Sequence, residues 1–226
     1  SLSSRLNRTV RDVASRLGKS VRLVLEGERV ELDRTVWEKL ADPLMHLIRN
    51  AVHHGIELPD VRVAQNKPAT AIIRLSAGRE GNHIVLRFSD DGQGLDFEAI
   101  KAKARQFGLG EQVNTMDQRQ LIDLIFYPGF STKTISEISG RGVGMDVVRE
   151  SVKELQGSIS TETIHGQGTT FILRIPLTLG IVRALLVLVA DTAYGIPLND
   201  IRDIQRLEAK DITSQRDRCT IQGKTI

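Results

Sequence analysis

The sequence predicts an α+β protein: a two-layer α/β sandwich with one mixed, largely antiparallel sheet and helices on one of its faces, followed by a shorter all-β piece. Three observations predict it. Two pairs of alternating apolar runs, 71–76 with 83–88 and 158–163 with 169–175, are each joined by a glycine-bearing turn and read as hairpins. Around them lie stretches with apolar residues three and four apart, the pattern of helices with one buried face. Beyond Pro176 the pattern changes to ALLVLVADTAYGIPLNDI, two strand-like runs about a turn at Ala190 to Thr192.

In chain order, Leu2, Leu6, Val10, Val13 and Leu17 form an apolar stripe that stops at Gly18, as in a helix closed by glycine. Val21, Leu23 and Leu25, with Val30 to Leu32 after Glu26-Gly27-Glu28, predict a short hairpin. Asp33 is placed to cap the next helix, and Pro43 predicts a break or kink within it. Gly78 and Gly81 are expected in the turn after the strand at 71–76. Helices are expected over 97–107 and 118–126. The Gly-, Ser- and Thr-rich character of 108–142 predicts a long mobile segment, a length of loop that compact domains usually reserve for function. Met145 to Leu155 is amphipathic and ends at Gly157, before the second hairpin and its HGQG turn.

Composition excludes several classes. Lys and Arg number 31 against 28 Asp and Glu, for a net charge of +3 spread along the chain, and aromatic residues make up only 4%, so neither a phosphate-binding stripe nor a base-stacking surface is expected and nucleic acid is set aside. Cys219 is the single cysteine, which fits a reducing cytoplasm. The most apolar region, from Phe171, is interrupted by Arg174, Pro176 and Arg183 and fails as a membrane span; no signal peptide opens the chain. The first residue is Ser and both ends fall within elements, so a piece of a longer protein is expected.

Three motifs carry chemistry. Read as a helix, Asp42 to Glu57 sorts Leu44, Ile48, Ala51 and Val52 onto one side and His46, Asn50, His53 and His54 onto the other, one face for a core and one for a ligand. In isolation those polar residues suit a solvated surface equally well. Asp90 ends a strand, and Gly92 and Gly94 leave its carboxylate beside bare backbone, a fit for the exocyclic amine of a base. Taken alone, DDGQG is more often a plain acidic turn. It is not a calcium loop, because aligning Gly94 to the required glycine puts Ile100 where a bidentate Glu belongs. Gly140, Gly142 and Gly144 lead into the helix at Met145, so backbone N–H groups and the positive helix end can face phosphate oxygens, although a flexible connector explains such a run as readily. Met145 stands where a dinucleotide fingerprint needs its last glycine, and Gly18-Lys19-Ser20 lacks the upstream glycine of a P-loop. The order of these elements, closed by GQGTT on the second hairpin, indicates an ATP site under a lid.

Together, HLIRNAVHHGIE, DDGQGLD, FYPGFSTK, SGRGVGMDVV and GQGTTF resemble the Bergerat ATP-binding fold of histidine kinases, gyrase, Hsp90 and MutL, and within it the catalytic domain of the CheA chemotaxis histidine kinases. The resemblance implies that Asn50 binds Mg²⁺, that Asp90 binds adenine, and that His46, replacing a glutamate of ordinary sensor kinases, ligates the metal or orients the γ-phosphate. Asn50 and His46 are thus its implied catalytic and metal residues. It further implies nucleotide contacts from His54, Gly92 and Gly94, from Ser131 and Thr132 of the FSTK motif, from Arg141, Gly142, Val143, Gly144 and Met145, and from Thr169. Lys101, Lys103, Lys133 and Arg141 are candidates to neutralise phosphate charge, with surface solvation the plainer reading for each lysine. One position departs from the family: His53 stands where an aspartate is usual.

By the same resemblance, 1–17 is the end of a dimerisation helix, 18–176 the ATP-binding catalytic domain, and 177–226 the start of an SH3-like, CheW-like coupling domain. The implied activity is transfer of the γ-phosphoryl of Mg-ATP to a histidine on a separate phosphotransfer domain. None of His46, His53, His54, His83 and His165 stands in an HxxKG setting of such a domain. Implied partners are that phosphotransfer domain, response regulators, a CheW-like adaptor and chemoreceptors in membrane-associated arrays, and a second copy through the dimerisation domain. The wording around the motif helix is also similar to pilus-type hybrid kinases. The alternative is a nucleotide-holding regulatory or scaffold module that couples receptors and adaptor without turnover.

Overall fold

The computed structural model describes residues 2–27, 34–130, 144–177, 184–198, 201, 212–215, 218–221 and 224–225. The chain divides into two compact units, 1–179 and 180–226. No described helix is long and apolar enough to cross a membrane.

In the first unit the order is α1 (Leu2–Arg16), β1 (Val21–Gly27), α2 (Arg34–Asn50), a π turn (Ala51–Gly55), α3 (Pro59–Ala64), β2 (Ala71–Glu80), β3 (His83–Asp90), α4 (Phe97–Ala104), α5 (Gln118–Leu124), α6 (Met145–Glu154), β4 (Ser158–Ile164) and β5 (Gly168–Pro176). The sheet runs β1-β2-β3-β5-β4, with β1 parallel to β2 and every other pair antiparallel. Alternation decides which face of the sheet is covered: Ala71, Ile73 and Leu75 of β2, Ile84, Leu86 and Phe88 of β3, and Phe171, Leu173 and Ile175 of β5 share one core with Leu6 and Val10 of α1, Leu40, Leu44, Leu47 and Ile48 of α2, and Val148 and Val152 of α6. A second, smaller cluster of Ile100, Ala104, Val113, Leu121, Leu124 and Phe130 closes under α4 and α5. Their starts are set locally: the Asp96 side chain accepts from Ala99 N at the start of α4, and Asp117 with Gln120 forms a reciprocal capping box at α5.

Two expectations, at Pro43 and Gly78, need correcting, and two others fall partly outside the described residues. The described partner of β1 is β2, in parallel, and the second arm expected at Val30 to Leu32 lies outside the described residues, as does the Asp33 cap. Pro43 does not break α2. Proline in a helix interior costs about 3 kcal/mol, and the buried stripe of Leu40, Leu44, Leu47 and Ile48, which lies on both sides of Pro43, outweighs it. Gly78 sits inside β2 opposite Val85, so the turn is at Gly81 and Asn82 and both strands are longer than the alternation suggests. The helix expected over 118–126 is α5; within the rest of the segment expected to be long and loop-like, residues 110–115 form a short 3₁₀ turn and 131–143 lies outside the described residues.

The second unit carries a hairpin of β6 (Ala184–Val189) and β7 (Thr192–Pro197), and a three-stranded antiparallel sheet of β8 (Ile212–Gln215), β9 (Arg218–Ile221) and β10 (Lys224–Thr225). Ala190 and Asp191 both have positive φ, 46° and 64°, as a tight hairpin turn with the right-handed twist requires.

Candidate functional site

The motif helix ends differently from a regular α-helix. Ala51–Gly55 forms one π turn, closed by Ile56 N donating to Ala51 O at 2.8 Å. Such turns are inserted irregularities that often mark functional positions. The wider turn changes the register past Asn50, so His53 and His54 do not continue the face on which His46 and Asn50 stand. His46 and Asn50 are half-buried and His54 is exposed. Lys19 Nζ holds the carbonyls of Val52 and His53 at 2.7 and 3.1 Å, and Gln93 Nε2 holds that of His54 at 2.8 Å.

One end of the site gathers His46, Asn50, Met145 and Asp146. Asn50 Nδ2 donates to Met145 Sδ at 3.1 Å, bringing the end of α2 against the first residue of α6. His46 Nε2 and Asp146 Oδ1 are buried with no hydrogen-bond partner among the described residues. Burial, reinforced by Arg49, holds the His46 imidazolium below its usual range against the opposing pull of Asp146, so the ring is neutral at pH 7.

The other end is built on Asp90, the last residue of β3, paired with Thr169 of β5. Its carboxylate is 8% exposed and accepts backbone N–H groups from Gly92, at 3.0 Å, and from Thr169. Burial nevertheless pushes its pKa up to about 6. Glycine is required around it by contact. A Cβ on Gly92 would stand 2.2 Å from Gly55 O, and one on Gly168, where φ is +114°, would stand 1.9 Å from Asp90 O. A Cβ on Gly94, where φ is +76°, would stand 2.6 Å from Ile164 O. A Cβ on Gly55, the last residue of the π turn, would stand 3.3 Å from the Asp90 carboxylate, so one turn of helix separates that carboxylate's neighbour from Asn50.

Of the other expected residues, Gly144 and Met145 open α6, with Gly144 at its N-terminal boundary. Thr169 is buried, its hydroxyl 3.3 Å from that of Thr163. Lys101 is ion-paired to Glu98 at 2.8 Å, which ties it to its own helix. Ser131, Thr132, Lys133, Arg141, Gly142 and Val143 lie outside the described residues. Sequence reasoning missed the charged group behind Asp90: Arg62, 1% exposed, with Glu57, Lys67 and Asp91. No periodicity announces it. The available signal was charge at five-residue intervals, Glu57, Arg62 and Lys67, across the stretch between the motif helix and β2, and charge of that kind reads as solvated surface. Asp146 and Gly55 were missed as well.

Among the described residues no group of three His, Cys, Asp or Glu side chains could hold a metal ion. The donor set near α6 offers the amide oxygen of Asn50. That suits a magnesium ion carried by a polyphosphate, which draws most of its ligands from phosphate and water, and does not suit a resident cation caged by protein.

Residues 39–179 match the family described as histidine kinase-, DNA gyrase B-, and HSP90-like ATPase. The chain is 46% identical over 222 residues to the sensor histidine kinase CheAY of Helicobacter pylori, covering 97% of this chain and 27% of that protein. It is 44% identical over 210 residues to the chemotaxis protein CheA of Treponema pallidum, covering 92% and 26%. The chain thus spans about a quarter of the length of these relatives. Among solved structures it is similar to the Erythrobacter litoralis EL346 blue-light activated histidine kinase, with a TM-score of 0.48 at 15% identity, covering 79% of this chain and 42% of that one. The chain belongs to the histidine kinase-, DNA gyrase B- and HSP90-like ATPases, and within them its similarity is to the chemotaxis histidine kinases of the CheA family.

Proposed function

We propose that this chain is the ATP-binding catalytic core of a chemotaxis-type protein histidine kinase, which transfers the γ-phosphoryl group of Mg-ATP to a histidine on a separate phosphotransfer domain. The observation that carries this reading is the buried Asp90 carboxylate at a strand end, lined by Gly92 and Gly168, one turn of helix from the Asn50 and His46 pair at the start of α6.

In this reading Asp90, ionised, accepts a hydrogen bond from the exocyclic amine of adenine. Gly92 and Gly94 let the loop pack against Gly55 and Ile164, which holds the carboxylate in place for the base. Asn50 turns its amide from the weakly accepting Met145 sulfur toward the triphosphate, offering Oδ1 as one ligand for Mg²⁺. The metal, when bound, neutralises phosphate charge during transfer. His46, neutral and with Nε2 lacking a partner among the described residues, orients the γ-phosphate. Gly144 and Met145 at the start of α6 bring backbone N–H groups to the phosphates, and the remaining contacts fall to His54, Thr169 and the segment with Ser131, Thr132, Arg141, Gly142 and Val143. The contribution of the protein is positioning and electrostatics. The acceptor domain, response regulators, a second copy, and an adaptor and receptors meeting a coupling domain at 177–226 are the partners of that reaction.

The test supplies a phosphotransfer domain separately with Mg-ATP. Transfer that Asn50→Ala abolishes supports the kinase. No transfer at saturating Mg-ATP, with nucleotide still bound, overturns it in favour of a holding module without turnover.

A further inference from the structure

Behind Asp90 lies a cluster that the nucleotide reading does not use. Arg62 donates from Nη1 to Glu57 Oε2 at 3.0 Å and to Asp91 O at 3.1 Å, from Nη2 to Asp91 Oδ2 at 2.9 Å, and from Nε to Pro68 O at 2.7 Å. Lys67 Nζ donates to Glu57 Oε1 at 2.7 Å, to Asp91 O at 3.0 Å and to Gly92 O at 2.8 Å. Asp91 Oδ1 accepts from Ile72 N at 3.0 Å, tying the group to β2. Two cations and two carboxylates balance, with every Lys67 contact directed at Glu57 or at the two carbonyls that follow Asp90.

The opposite side of the same peptide is held as well. Gln93 N donates to Gly55 O at 2.8 Å, and a Gly92 Cβ would strike that oxygen. The backbone from 91 to 93 is therefore clamped between the π turn and the Arg62–Lys67 pair. Burying an arginine this completely contributes little to stability compared with packed apolar side chains, so its use here fits a need for fixed geometry. A hydrogen bond between a carboxylate and a ligand amine requires such geometry, because it weakens steeply with misalignment.

We propose that Lys67, supported by Glu57 and Arg62, is a positioning residue for adenine recognition: through the carbonyls of Asp91 and Gly92 it sets the Asp90 carboxylate at the angle the base requires. The proposal rests on the nucleotide reading above. A second consequence supports it. Asp91 and Glu57 both act to raise the pKa of Asp90, and Lys67 and Arg62 are the charges that offset them. Loss of Lys67 leaves those two carboxylates undercompensated beside Asp90, which favours its protonated form and moves the pH midpoint of ATP binding upward.

The experiment measures calorimetric affinities of the protein for Mg-ATP and Mg-GTP at pH 7.5, with thermal melting as the measure of fold. In Lys67→Met, ATP affinity is expected to fall about tenfold or more while GTP affinity changes about threefold or less, the size of a lost charge-assisted hydrogen bond. Lys67→Arg is expected to recover part of the ATP preference. Equal loss of both affinities, or a lowered melting temperature with the ATP-to-GTP ratio unchanged, overturns the proposal and leaves the cluster a structural brace. Should Lys67→Met fail to fold, Asp91→Asn, at a half-exposed position, sets an amide against Arg62; an unchanged ratio there overturns the proposal equally. A wild-type protein with no preference for ATP would instead overturn the nucleotide assignment itself.

Discussion

The amide nitrogen of Asn50 rests 3.1 Å from the sulfur of Met145, joining the last residue of α2 to the first of α6. A thioether is a weak acceptor, so the amide is held in place at small cost and is easily released to a ligand that binds it better. Asn50→Ala is therefore expected to lower stability by about 1 kcal/mol or less and to abolish phosphoryl transfer. Parallel denaturant melts and transfer assays check this; a variant that unfolds, or that still transfers at the wild-type rate, contradicts it.

The pKa of Asp90, at about 6, lies above the ordinary 3.8 because the carboxyl is buried. The folded state then binds its proton more tightly than the unfolded chain. This contribution to stability is present in full below about pH 4, is lost as pH rises to about 6, and amounts to about 3 kcal/mol. Ligand binding has the opposite sign, since the adenine amine needs the ionised acceptor. ATP affinity is expected to fall about tenfold per pH unit below pH 6, beyond any fall for GTP, which controls for phosphate ionisation. Calorimetry from pH 5 to 8 decides, and parallel pH profiles for the two nucleotides would contradict the assignment.

Gly92 and Gly78 give a contrast within one hairpin and its exit. Gly92→Ala forces a methyl to within 2.2 Å of Gly55 O and is expected to cost about 2 to 4 kcal/mol and to remove nucleotide binding. Gly78→Ala meets nothing within 4 Å and has no positive φ, so it is expected to be neutral or stabilising by about 0.5 kcal/mol. Chemical denaturation of both variants tests the pair.

His53 stands where the family resemblance implies an aspartate, so an imidazole replaces a hard oxygen donor there. His53→Asp is expected to tighten Mg-ATP binding, with the gain vanishing when magnesium is withheld; unchanged or weaker affinity by calorimetry contradicts it.

Periodicity made most of the architecture legible. Alternation in 71–76, 83–88 and 169–175 marked strands whose apolar faces do lie on one core, and the spacing of Leu44 and Ile48 marked the buried side of α2. Periodicity carries no information on pairing, so the parallel partner of β1 came only from β2 lying beside it. Asp90 was legible because a strand end with spaced glycines is a local signal. Arg62, Glu57 and Lys67 were not, since their meaning depends on folding back against Asp91, and a charged residue in sequence gives no sign of being 1% exposed.

By itself the sequence nominated the residues proposed to carry the chemistry, Asn50, His46 and Asp90, through its motifs and their resemblance to a family, and determined which faces must be apolar, because that follows from spacing along one helix or strand. Only the tertiary structure decided how far those groups are desolvated, where the π turn shifts the helix register, and what holds the Asp90 loop in place. Those properties depend on atoms distant in the chain: burial by β5, contact between Gly55 and Gly92, and cations from α3 and the turn after it, none of which a local pattern encodes.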